Sequence, residues 1–219
     1  MSRNAAGVRA ATLPSAFAAL LLAAAAPASA AQAPPASAVQ AAPADELAVT
    51  VVTANGSGCP NASATAQILP DGSSFTIDFD GYVAWAGGGA PATASRKNCQ
   101  FSLQITAPDG MTYAVTKAEY SGFALLDDGV SGVQAARYYF QGQSSTTTVS
   151  HRFTGALTDD WRTADVFAPE QLVFAPCYAQ RNLNLNTELR VTPQSPSADL
   201  NAMVMNPSIT LHLALQPCD

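Results

Sequence analysis

The chain has 219 residues, 48% of them hydrophobic and only 12% charged, with ten Lys and Arg against sixteen Asp and Glu. That length supplies one domain with a sizeable core, or two small ones. No basic stripe is visible along the chain, which argues against nucleic-acid binding.

Residues 1–30 read as a cleaved leader. Arg3 and Arg9 precede a short apolar run, and Ala28-Ser-Ala30 supplies an A-x-A cleavage site. The run is half alanine and too short to span a bilayer comfortably, so no membrane association is expected after cleavage. The mature protein is expected outside the cell, or in the periplasm where the source has an outer membrane. Residues 31–46 are rich in Ala and Pro and lack periodicity, as a disordered linker would be. A single all-β domain is expected over 47–219, as a monomer.

Strand signals then follow one another. Residues 47–53 are β-branched, and Asn55-Gly-Ser-Gly58 forces a turn before Cys59. Residues 62–69 form a weak strand. After the Pro70-Asp-Gly72 turn, Phe75, Ile77 and Phe79 alternate with Thr76 and Asp78. Tyr82 to Trp85 is a short aromatic segment, and the glycine-rich stretch 87–95 reads as a loop. Residues 98–106 hold the clearest pattern: Cys99, Phe101, Leu103 and Ile105 on one face, Asn98, Gln100, Ser102 and Gln104 on the other. Pro108-Asp-Gly110 predicts an antiparallel hairpin with 111–117. Further strands are expected at 123–126, 134–141, 145–153, 183–191 and 208–215, with 158–170 the least regular stretch. In all, roughly nine or ten strands without an amphipathic helix predict an antiparallel β-sandwich of jelly-roll type.

In this order, Gly58-Cys-Pro60, Ser95-Arg-Lys-Asn-Cys-Gln100, Gly129-Val-Ser-Gly132, Tyr138-Tyr-Phe140, Phe153-Thr-Gly155, Pro176-Cys177 and Leu183-Asn-Leu-Asn-Thr187 resemble a family of small secreted microbial proteins classed as domain of unknown function 4360. The match covers about Gly58 to Val191. The resemblance implies a secreted all-β domain and carries no catalytic residue with it.

Four cysteines in an exported chain predict two disulfides among Cys59, Cys99, Cys177 and Cys218. The favoured pairing joins Cys99 to Cys177 and Cys59 to Cys218, the second tying the two ends of the domain together. Cys59 with Cys99 is the rival. A zinc site is disfavoured, because no C-x-x-C is present and neither histidine lies near a cysteine in sequence. No cofactor motif is present. Adjacent aspartates could serve calcium, but no twelve-residue loop pattern accompanies them.

Catalytic signals are thin. No G-x-S-x-G occurs. His212 lies opposite Ile209, Leu211 and Leu213 and is expected exposed; His151 shares parity with Val149 and Phe153 and is expected partly buried and hydrogen-bonded. Asp127-Asp128 precedes glycine and reads as a turn. The aromatics are the better candidates for binding: Tyr82 and Trp85 before the glycine-rich loop, and Trp161 beside Asp159 and Asp160. Flat rings flanked by amides and carboxylates suit sugar stacking, whereas large aromatics otherwise pack in cores. The expected function is therefore a secreted, non-catalytic β-sandwich that binds a glycan or a cell-surface ligand. The alternatives are a hydrolase using paired carboxylates, and a structural or inhibitory protein acting through protein contacts.

Overall fold

The computed structural model describes residues 46–60, 63–193 and 199–218. The expected leader, and all of the expected linker but its last residue, lie outside them. The first sheet holds β1 (Ala48–Asn55), β5 (Arg96–Thr106), β7 (Ser131–Phe140), β8 (Thr147–Thr154) and β10 (Leu183–Thr192), in the order β1-β5-β10-β7-β8. The second holds seven strands: β2 (Thr65–Ile68), β3 (Ser74–Asp78), β4 (Tyr82–Ala86), β6 (Met111–Leu126), β9 (Leu157–Val166), β11 (Asn201–Met205) and β12 (Ser208–Pro217). Every pairing is antiparallel. The all-β, antiparallel two-sheet architecture expected from the strand patterns is what the chain adopts.

The second sheet is organised by the long β6. β12 and β11 lie end to end along one edge of it, and β9 lies along the other. β3 and β4 lie end to end in the same way along β12 and β11. Both breaks fall at one place. Pro207 cannot donate to a ladder, and its carbonyl instead accepts the Phe79 N–H. Gly81 faces the Met205 carbonyl so closely that a Cβ there would lie 2.7 Å from it.

The core is built from the inward faces of both sheets. Phe101, Leu103, Ile105, Leu185 and Leu189 contribute from the first, and Phe75, Ile77, Tyr113, Met203, Ile209 and Leu211 from the second. Phe79 meets Phe101 edge-on at 5.1 Å between ring centroids, and Tyr113 meets Phe140 at 5.7 Å.

Four expectations are corrected. First, 98–106 and 111–117 do not form a hairpin: the Pro108-Asp-Gly110 turn carries the chain from one sheet to the other. Second, 111–126 is one sixteen-residue strand, not two pieces. Third, 157–166 is a regular strand; its inward positions mix Trp161 with Thr163 and Asp165, so no apolar alternation shows in the sequence. With β11, which had no clear signal, the strands number twelve among the described residues.

The fourth correction is the disulfide pairing. All four cysteines are bonded, but as Cys59–Cys99 and Cys177–Cys218. The reason is local. The Asn55-Gly-Ser-Gly58 loop folds onto the start of β5, where the Gly58 N–H donates to the Asn98 carbonyl at 2.8 Å. Gly56 there has φ +146°, and a Cβ on it would lie 2.3 Å from that carbonyl oxygen. Cys59 is thereby delivered to Cys99. Cys218 donates its N–H to Gly110, and the Ala175 N–H bonds to Tyr113, so Cys177 and Cys218 meet at the start of β6.

A candidate ligand-binding groove

The polar residues of β5, β7, β8 and β10 that alternate with the core share the outer face of the five-stranded sheet. Register fixes their order. One row across the sheet reads Arg96, Arg190, Val133, Arg152; the next reads Asn98, Glu188, Ala135, Ser150; the next reads Gln100, Asn186, Arg137, Thr148. Small Val133 and Ala135 sit in the middle of taller neighbours, and Ser57 and Thr93 rise at one end. The result is an open groove of about 640 Å³ lined by amides, hydroxyls and guanidiniums, with Gln100 and Arg152 on the same face at its border.

Several of these groups are held in place. Glu188 takes Arg96 at 2.6 Å and Arg190 at 2.7 Å, while its own side chain is 14% exposed. Burial by itself would raise the Glu188 pKa, yet the two guanidiniums outweigh it and hold the carboxyl below the ordinary glutamate value. The same contact raises Arg96. The Ser57 hydroxyl donates to Asn98 Oδ1 at 3.0 Å, and the Gln100 amide donates to the Tyr139 hydroxyl at 3.3 Å, which fixes a half-buried ring beside the groove. Asn186, Arg137 and Arg152 make no side-chain hydrogen bond or ion pair within the described residues.

The residues singled out from sequence are distributed differently. Tyr82 is buried, its hydroxyl donating to Thr187 Oγ1 at 3.0 Å between the sheets, and burial pushes the phenol well above its usual pKa. Trp161 is buried against Phe153, with ring centroids 5.5 Å apart. Trp85 is half-buried on the outer face of the seven-stranded sheet, beside Val83, Ala202 and Leu125. Asp160 lies on that same face in the row of Val83, Val204 and Phe123, and Asp159 is exposed one residue earlier. The structure brings none of the five to the groove. The groove residues were visible in the sequence as the polar half of each alternation; missing was which strands lie side by side.

Two other sites are less suited to a ligand. A cleft between Val115, Tyr138, Phe140, Phe167 and Val173 has a volume of about 30 Å³, room for little more than water. At the edge of the sandwich, His151 Nε2 and the Tyr138 hydroxyl both donate to Asp165, and the Tyr120 hydroxyl bonds to that of Tyr138. His151 is the partly buried, hydrogen-bonded residue expected. His212 is less exposed than expected, its ring bonded to Glu119 at 2.7 Å. No group of three or more His, Cys, Asp or Glu side chains that could hold a metal is present among the described residues.

An uncharacterized secreted protein of Arthroderma benhamiae is 33% identical over 180 residues, covering 80% of this chain and 73% of that protein. Two solved structures show distant likenesses. The enzymatically active domain of bacteriophage CBA120 tailspike protein 4 aligns over 77% of this chain and 20% of its own, at 11% identity and TM-score 0.29. A structure described as "CBM4 structure and function" aligns over 82% and 91%, at 15% identity and TM-score 0.21. At these TM-scores neither likeness carries a functional argument. The secreted relative agrees with the two disulfides, and the protein is secreted. The family model described as "Domain of unknown function (DUF4360)" matches residues 45–218, nearly the whole described domain, and the chain belongs to that family.

Proposed function

We propose that this secreted β-sandwich is a non-catalytic glycan-binding protein whose ligand lies in the groove on the five-stranded sheet. The observation that carries the reading is the row arrangement: Asn98, Gln100 and Asn186 stand on adjacent strands on one open face. An amide side chain both donates and accepts, and so does a sugar hydroxyl. Tyr139, fixed by Gln100, adds a ring of the kind that packs on a sugar's apolar face. Paired carboxylates would favour the hydrolase alternative, but the groove lining holds a single acid, Glu188, already engaged by two arginines.

The test is a polysaccharide panel, probed by affinity electrophoresis with the wild-type protein and with Asn186→Ala and Gln100→Ala. Retardation by at least one polysaccharide, lost or reduced in both variants with melting unchanged, supports the reading. A folded wild-type protein retarded by none contradicts it.

A second reading rests on the opposite face. Val83 and Phe123 are 42% and 38% exposed there, with Val204 between them and Trp85 and Leu125 in the adjoining row. Such an apolar strip suits contact with another protein. Loss of a partner on Phe123→Lys, with glycan binding intact, would support it.

A further inference from the structure

The face that holds the groove carries a charge pattern of its own. Beyond residue 30 the chain has eight Lys and Arg, and four of them, Arg96, Arg137, Arg152 and Arg190, stand on the outer face of this one sheet. They come from four different strands, so no run of basic residues reveals them in the sequence. The outward positions of β5, β7, β8 and β10 include one acid, Glu188, and it is shared between Arg96 and Arg190. Arg137 and Arg152 have no carboxylate partner among the described residues. The face is therefore net positive in a protein whose overall charge is −6.

We propose that the groove's ligand is an anionic polysaccharide, its carboxylate or sulfate groups taken by Arg137 and Arg152 while the amides of Asn98, Gln100 and Asn186 take its hydroxyls. The inference rests on the glycan reading above and narrows it. Guanidinium suits such a ligand because it is planar, permanently charged and able to bind an oxyanion through two parallel N–H bonds. Arg96 and Arg190 are already spent on Glu188, which fixes them as walls. Arg137 lines the groove, and Arg152 stands on the edge strand bordering it, diagonal to Arg137 across the Ala135–Ser150 pair. A chain with repeated negative charges can meet both at once. The surrounding negative charge of the protein repels such a polymer elsewhere and leaves this face as its landing site.

The experiment compares polymers that differ only in charge. Polygalacturonate is titrated beside its fully methyl-esterified form, and dextran sulfate beside dextran, at low and moderate salt. The proteins are wild type and the double variant Arg137→Gln, Arg152→Gln. The expected result is binding to at least one anionic member at least tenfold tighter than to its neutral twin. The double variant should lose on the order of tenfold of that affinity, the size of losing a hydrogen bond to a charged group. Which pair shows the preference tells carboxylate from sulfate. Equal binding to charged and neutral twins overturns this inference and leaves the glycan reading standing. Equal affinity for single-stranded DNA also overturns it, since charge alone would then suffice. A folded protein that binds no polysaccharide overturns both.

Discussion

His151 Nε2 lies 2.6 Å from Asp165 Oδ1, and the contact joins strands of different sheets at the edge of the sandwich. The Asp165 side chain is fully buried, whereas the His151 ring is 28% exposed. Tyr138 supplies the carboxyl's other bond, at 2.5 Å. Removing one hydrogen-bond partner of a buried polar group leaves that group partly unsatisfied, at a cost of about 1–3 kcal/mol. His151→Ala should therefore lower stability by about that amount in chemical denaturation. A loss under about 1 kcal/mol would mean that Tyr138 alone satisfies Asp165.

Trp161 is part of the buried core. It packs against Gly122 on the neighbouring strand, where a Cβ would lie 2.4 Å from its ring. Trp161→Ala should cost about 3–5 kcal/mol. Gly122→Ala should also destabilise, because that Cβ would further lie 1.8 Å from the Val204 carbonyl oxygen. Urea midpoints check both, and a variant as stable as wild type would contradict the packing.

Non-reducing peptide mapping should recover Cys59 linked to Cys99 and Cys177 linked to Cys218. Each bond closes a loop of similar length, 40 and 41 residues. The chain-entropy model assigns each about 4 kcal/mol. Replacing either pair by alanines should lower stability by up to that amount. A peptide linking Cys99 to Cys177 would contradict the structure.

Glu188 sets a pH dependence with a definite sign. Arg96 and Arg190 hold its folded pKa below the ordinary value of 4.5. A depressed carboxylate contributes stability that is complete above the unfolded pKa and is lost as pH falls through the folded one. The contribution is small because the guanidiniums are about half exposed. The melting-temperature gap between wild type and Glu188→Gln should therefore narrow as pH falls from about 6 to about 3. A gap that widens on acidification would reverse the assignment.

Much of this fold is legible from alternation alone. Phe101, Leu103 and Ile105 fall inward, as their spacing requires, and so do Ile209, Leu211 and Leu213. The failures have physical causes. Asp165 and Thr163 occupy inward positions on β9, and a buried carboxylate reads as a surface residue until its partners His151 and Tyr138 are seen. The Pro108-Asp-Gly110 turn has hairpin chemistry, but it changes sheets, a choice made by β6 pairing with β12 and β9. The groove's amides lay in plain sight as Asn98 and Asn186, with Gln100 beside them, yet adjacency is a property of strand order. Arg137 and Arg152 are fifteen residues apart in the chain and become neighbours on one face only through the β7–β8 ladder.

Everything proposed for binding places the ligand on the outer face of the five-stranded sheet. Backbone amide shift mapping of the secreted protein, titrated with oligogalacturonate or with a sulfated dextran oligomer, whichever class the polymer titration selects, reads that placement residue by residue. The expected perturbations centre on Asn98, Gln100, Arg137, Ser150 and Asn186, with Val83, Trp85 and Phe123 unmoved. Perturbations confined to Val83, Trp85, Phe123 and Leu125, or none at saturating oligosaccharide, would contradict it.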